Sequence, residues 1–160
     1  MKLEVLAVGR PGPLLADAIA EYERRAARYW PLRFTEVRAE RAAKGMPDAV
    51  VREAEGQRLL ERVPAGSGIV ALTREGGDAW SSTRLARFLE EQTLHGGRDL
   101  AFLIGGALGL SDTVLRVAAR RMSLSAFTLQ HDMARLVLAE QLYRAGSIVR
   151  GEPYHKSART

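Results

Sequence analysis

The sequence predicts a single α/β domain of three layers, with helices on both faces of a mostly parallel sheet. Three observations carry that prediction. Strand-like and helix-like stretches alternate along all 160 residues. Two short, continuously apolar runs, residues 69–73 and 100–104, suit strands covered on both faces. No internal repeat or low-complexity linker divides residues 1–160, a length that fits one domain.

Each element follows from local pattern. Residues 2–8 alternate and then turn apolar, which predicts a first strand. Gly9-Arg10-Pro11-Gly12-Pro13 cannot continue it. Over residues 14–28, Leu15, Ile19, Tyr22 and Ala26 recur at helical spacing, opposite Glu21, Arg24, Arg25 and Arg28. Trp30-Pro31 ends that helix, because the residue before proline is pushed from helical geometry. Residues 33–37 alternate as a second strand, and residues 38–47 read as a loop. Asp48 is placed as the N-cap of a helix to Arg62, with Val51, Ala54, Leu59 and Val63 on its buried side. The run 69–73 is the third strand, and residues 74–80 form a polar loop. Ser81-Ser82 then cap a helix to about Thr93, and 100–104 is the fourth strand. Ser111-Asp112 open a short Arg-rich helix, residues 123–129 form a further strand, and residues 131–149 form a long helix. That helix is apolar on more than one face, so a second subunit is the expected cover.

Composition narrows the class. The chain is 46% apolar and 27% charged, as a soluble globular domain is, and no apolar run approaches the roughly 20 residues that span a bilayer. Residues 1–5 show no signal-peptide pattern, and without cysteine there are no disulfides or thiolate metal sites; the cytoplasm is the expected compartment and no metal site is expected. The net charge of +5 favours an anionic partner, and arginine offers a bidentate fork for phosphate. An Arg- and Ala-rich coding bias is the alternative source of that charge.

The candidate chemistry lies in the last third. Gly105-Gly106-x-x-Gly109 follows a strand, and its glycines let backbone N–H groups approach a ligand; glycine needed merely to turn the chain explains it equally. The loop matches neither the G-x-G-x-x-G nor the G-x-x-x-x-G-K-[ST] fingerprint. The other glycine loop, residues 9–12, has a proline that removes an N–H donor. The hydroxyls Ser123, Ser125 and Thr128 mark either a solvated strand face or a strand end offered to an adenine edge. Glu140 and Arg144 are spaced i,i+4 as an ion pair, or as an arginine held for substrate. Pro153-Tyr154-His155 is either a frayed end or a pair of rings with a titratable group.

Taken together, Ile104-Gly105-Gly106…Gly109-Leu110-Ser111, Ser123-Leu124-Ser125, Leu142-Tyr143-Arg144-Ala145 and Pro153-Tyr154-His155 resemble one family. They are similar to the ribosomal RNA large subunit methyltransferase H branch of the SPOUT superfamily, over nearly the whole chain. Gln130 stands where proline is frequent in that family, and Ala107-Leu108 where a more polar pair is usual. The resemblance implies a C-terminal deep trefoil knot, a homodimer, and S-adenosylmethionine bound in the knot. It further implies methylation of N3 of a pseudouridine in 23S rRNA on the assembled ribosome. Carried to this chain, it assigns cofactor contacts to Leu72, Gly106, Ser125, Ala126, Phe127, Thr128, Leu129 and Gln130. It assigns substrate and catalytic roles to Arg144, Tyr154 and His155. Arg24, Arg25, Arg28, Arg120, Arg121 and Arg150 are candidate phosphate contacts. Two rivals stand beside it: a basic, non-enzymatic ribosome-associated RNA-binding factor, and a nucleotide-binding domain that uses residues 9–12.

Overall fold

Two strands that are buried on both faces form the spine of the computed structural model, which describes residues 1–157. They are β1 (Leu3–Val8) and its parallel neighbour, the apolar run Leu100–Ile104. Side chains alternate along each. Leu3, Val5 and Ala7 join Leu100, Phe102 and Ile104 on one face; Leu6 and Val8 join Ala101 and Leu103 on the other.

In chain order the elements are β1, α1 (Ala16–Ala26), β2 (Leu32–Val37), α2 (Asp48–Arg62), β3 (Gly68–Leu72) and β4 (Asp78–Ala79). Then follow α3 (Ser82–Leu94), β5 (Leu100–Ile104), α4 (Asp112–Val117), β6 (Arg120–Ser123), α5 (His131–Val149) and a 3₁₀ turn, Pro153–Ser157. The sheet has the order β2-β1-β5-β3-β6-β4, and every pair is parallel. Helices α1, α3 and α5 cover one face and α2 and α4 the other, giving the three layers expected.

Three local expectations are corrected. The strand expected at 123–129 ends at Ser123, and residues 124–130 are a loop. Serine hydroxyls supply the alternative to a ladder: Ser123 Oγ donates to the Ser125 carbonyl at 2.8 Å, and Ser125 Oγ accepts from the Phe127 N–H at 2.9 Å. Asp48 is the first helical residue rather than the cap. Pro47 occupies the cap with extended geometry, and the Asp48 charge sits in the first turn, where the helix dipole favours it. Inside the loop expected at 74–80, Asp78–Ala79 forms the edge strand β4. Gly77 permits it, since a Cβ there would lie 2.2 Å from the Thr73 carbonyl oxygen.

The long helix α5 is held between α1 and α3, so part of the apolar surface expected to need a second subunit is covered within the chain. Trp30 Nε1 donates to the Leu142 carbonyl at 2.9 Å. Near its other end, the buried Arg135 reaches Glu23 of α1 at 2.6 Å and Glu36 of β2 at 2.8 Å. A buried guanidinium is tolerable only with such partners. Among the described residues, no helix is long and apolar enough to cross a membrane.

Candidate active site

The carboxyl ends of the adjacent strands β3, β5 and β6 open into three loops, and between them lies a cleft of about 720 Å³. That size falls in the range of small-molecule sites, and its place is the one where open parallel sheets bind ligands. The first wall is Leu72 to Glu75. The second is the glycine loop from Gly105 to Leu110. The third is the loop after β6, closed by His131 and Ala134 of α5.

The glycine loop is tight because three of its residues lack side chains. Gly109 has φ +84°, and its N–H donates to the Gly106 carbonyl at 3.1 Å. A Cβ on Gly105 would lie 2.5 Å from the carbonyl carbon of Gly109. A Cβ on Gly106 would lie 2.6 Å from Glu55 Oε2 and 3.1 Å from Val8 Cγ1. The glycines therefore do more than turn the chain: they let its backbone form a wall. Directly after the loop, Ser111 caps α4 by accepting from the Val114 N–H at 3.2 Å.

Of the expected cofactor contacts, Leu72, Gly106, Ser125, Phe127, Thr128, Leu129 and Gln130 all line the cleft. Ala126 belongs to the same loop without lining it. Phe127 is 82% exposed, a large apolar ring left open at the mouth. Gln130 caps α5, its side chain accepting from the Asp132 N–H at 3.2 Å. Asp132 in turn accepts from Gly12 at 2.8 Å, so the glycine loop after β1 is tied to the start of α5 and does not line the cleft.

Arg144 and Tyr154 come together elsewhere. Arg144 Nη2 and Nε donate to Glu140 Oε1 at 2.6 and 3.1 Å, and the Tyr154 hydroxyl donates to the same oxygen at 2.9 Å. The guanidinium carbon lies 4.6 Å from the Tyr154 ring centre, and the Tyr143 ring stands 4.5 Å away on centroids. Burial first, and then the hydrogen bond to Glu140, push the Tyr154 phenol above the ordinary tyrosine range. It is therefore a neutral donor at physiological pH. Beside it, His155 Nδ1 is buried without a hydrogen-bond partner among the described residues. The tail that leads here is anchored rather than frayed. Gly151 turns the chain at φ +66°, the Glu152 N–H donates to the Ser147 carbonyl at 2.8 Å, and the Glu152 carboxylate accepts from the Tyr29 hydroxyl.

Within one chain these two groups of residues stand apart. Ala134 is the last residue of α5 to line the cleft, and Arg144 lies ten residues further on. At 1.5 Å per residue that is about 15 Å along the axis. None of Arg144, Tyr154 and His155 lines the cleft.

Two features of the cleft lie outside the residues expected as cofactor contacts. His131 and Ala134 line the cleft although they belong to α5. Glu55, not Ala54, faces inward from α2 and packs against Gly106. Its spacing of four from both Val51 and Leu59 is the signal that marks it. The candidate phosphate contacts are mostly engaged. Arg24 and Arg25 both pair with Glu21 at 2.7 Å, and Arg121 donates to the Leu115 carbonyl at 3.0 Å. Arg120 and Arg150 lie over the rings of Phe88 and Tyr29, while Arg28 is exposed.

The comparisons agree with this architecture. The family model described as "Predicted SPOUT methyltransferase" matches residues 1–155. A protein of Gemmatimonas aurantiaca, named ribosomal RNA large subunit methyltransferase H, is 50% identical over 98% of this chain and 100% of its own length. One of the same name from Syntrophotalea carbinolica is 46% identical over 97% of this chain and 99% of its own. Among solved structures, the "Probable Methyltransferase" of Bordetella pertussis Tohama I superposes with a TM-score of 0.54 at 16% identity, covering 90% of this chain and 95% of that one. That likeness is one of fold.

Proposed function

The chain belongs to the SPOUT methyltransferase family, and from that premise we propose that it methylates N3 of a pseudouridine in 23S rRNA, using S-adenosylmethionine, on the assembled ribosome. The observation that carries this reading is the cleft at the ends of β3, β5 and β6, whose walls coincide with seven of the eight expected cofactor contacts. The two relatives above, named for the same reaction class, support the choice of ribosomal RNA. A non-enzymatic RNA-binding factor has no use for that cleft.

The residues present fit the cofactor. The glycine loop gives a wall of backbone that any Cβ at Gly105 or Gly106 would obstruct. Leu72 and Leu129 supply apolar surface, and the hydroxyls and backbone of the loop after β6 supply polar partners for a nucleoside. S-adenosylmethionine supplies an activated methyl group on a sulfonium. The chain must do the rest: hold the base with N3 roughly 3–3.5 Å from its target, exclude water and take the N3 proton. His155 is the acceptor in this reading, because its buried Nδ1 has no hydrogen-bond partner among the described residues and an imidazole nitrogen can accept a proton. Arg144, held in place by Glu140, stabilises negative charge that develops on the flanking carbonyl oxygens. Tyr154, already stacked against Tyr143 and Arg144, orients the base.

The 15 Å offset along α5 gives the homodimer a chemical purpose. A tail from a second copy completes the cleft of the first, so that one active site draws on two chains. Met133 and Val149, exposed on α5, and the partly buried Tyr143 and Ile148 are surface that a partner would cover. The deep trefoil knot belongs to the same reading and rests on the family resemblance alone. In this reading the protein works in the cytoplasm, with the ribosomes it acts on.

The test is methyl transfer from labelled S-adenosylmethionine to ribosomes that lack the modification, followed by nucleoside mass spectrometry. Label in one N3-methylated pseudouridine, with little transfer to naked 23S rRNA, is the expected result. Cofactor binding without transfer to any assembled ribosome contradicts it.

A further inference from the structure

Glu55 is a carboxyl that the reaction as described does not use. It lies on the buried stripe of α2 and is 4% exposed. Its two carboxylate oxygens fall 2.6 and 3.1 Å from the place a Cβ of Gly106 would take. Glu55 is thus packed against a residue of the cleft wall without itself lining the cleft. Among the described residues no ion pair neutralises it. The nearby Arg58 is committed to the Glu40 carboxylate and to the Arg38 carbonyl. A buried carboxylate without a cationic partner is costly, and a cation that arrives in the neighbouring cleft relieves that cost.

Resting on the cofactor reading above, we propose that Glu55 is a specificity residue that makes the cleft favour the cationic cofactor over its uncharged product. Loss of the methyl group converts the sulfonium to a thioether, and the ligand gives up its net positive charge. The field of Glu55 acts on that difference and on little else, since S-adenosylhomocysteine keeps every other group. Product is therefore held less tightly than cofactor, and turnover gains. Acting through one glycine rather than by contact, the charge is worth roughly five- to tenfold in relative affinity.

The experiment is calorimetric titration of the parent protein and of Glu55→Gln with S-adenosylmethionine and, separately, with S-adenosylhomocysteine. The proposal predicts that the variant loses about five- to tenfold in affinity for the first and less than about twofold for the second. Equal losses for both ligands reduce Glu55 to a support of the loop and overturn the proposal, as does no change in either. A parent that binds neither ligand overturns the cofactor reading together with this one. A parent that binds both, with a ratio the variant leaves unchanged, overturns this proposal alone.

Should Glu55→Gln fail to fold by circular dichroism, the parent gives the same readout against pH. Burial raises the Glu55 carboxyl, while the Glu40 backbone, Arg58 and His131 oppose that rise and the Glu40 charge adds to it. Protonation of Glu55 removes the preference, so the affinity ratio falls as pH is lowered from neutrality through the carboxyl range. A ratio flat across that range overturns the proposal.

Discussion

The cleft and the tail cluster are built from opposite materials. The cleft is made largely of backbone: glycine and serine loops that hang from the ends of three buried strands, where a single added methyl group meets another part of the wall. The tail cluster is made of side chains: Arg144, Tyr154 and Tyr143 gathered on the surface of one helix around Glu140. A backbone site gains its accuracy from the sheet and loses it by overpacking. A side-chain site gains its accuracy from hydrogen bonds and loses it by deletion. The first suits recognition of a fixed cofactor, and the second suits groups that must meet a large RNA.

Substitutions should separate the two regions by which measurement they disturb. The largest effect is expected for Gly105→Ala, whose Cβ would meet backbone atoms of Gly109 and Leu110 within 2.8 Å. Backbone cannot yield as a side chain can, so S-adenosylmethionine affinity should fall about 100-fold or more by calorimetry. Gly106→Ala should fall less, about tenfold, because the obstructing atoms are the ends of the Glu55 and Val8 side chains. If Gly106→Ala proved the more damaging, the loop would be held by Glu55 rather than by its own turn.

Arg144→Ala should show the reverse signature. Methyl transfer should drop roughly 100-fold with cofactor affinity intact, as loss of a charge-stabilising donor does. Tyr154→Phe removes the hydroxyl that donates to Glu140, and a five- to tenfold loss of transfer, about 1 kcal/mol, is expected in the same assay.

The smallest effect concerns the anchor of the tail. The Tyr29 phenol is pushed up to about 12, by its hydrogen bond to Glu152 first and by burial second. A raised phenol stabilises the folded chain fully below the ordinary value near 10 and ceases to do so as pH rises through about 12. Tyr29→Phe should therefore lower the melting temperature slightly at pH 8, and the two melting curves should converge as pH rises through about 12. A difference that widened with alkaline pH would place the anchor elsewhere.

The same contrast explains what the sequence disclosed. Strands such as Leu100–Ile104 are legible because burial on both faces demands an unbroken apolar run, and helix α5 because its caps and length are local properties. The loop after β6 deceived because Leu124, Ala126, Phe127 and Leu129 look like strand residues, whereas two serine hydroxyls divert the backbone. Edge strand β4 is two residues long and owes its existence to a partner 44 residues away, a contact no local pattern announces. Glu55 was visible as a charge in an apolar stripe, but its neighbour Gly106 is brought there only by the fold. The roles of Arg144, Tyr154 and His155 rest on family resemblance, and their distance from the cleft is set by the length of α5, which no local pattern relates to the loops.

That distance is the centre of the account, and mixing two inactive proteins tests it most directly. Gly105→Ala lacks a cleft and Arg144→Ala lacks a tail cluster; each alone should be nearly inactive on ribosomes. Refolded together at equal amounts, half of the dimers carry one intact cleft opposite one intact tail, and about a quarter of parental transfer should return. No recovery, with mixed dimers verified by native mass spectrometry, would mean that each chain completes its own site and would contradict the account.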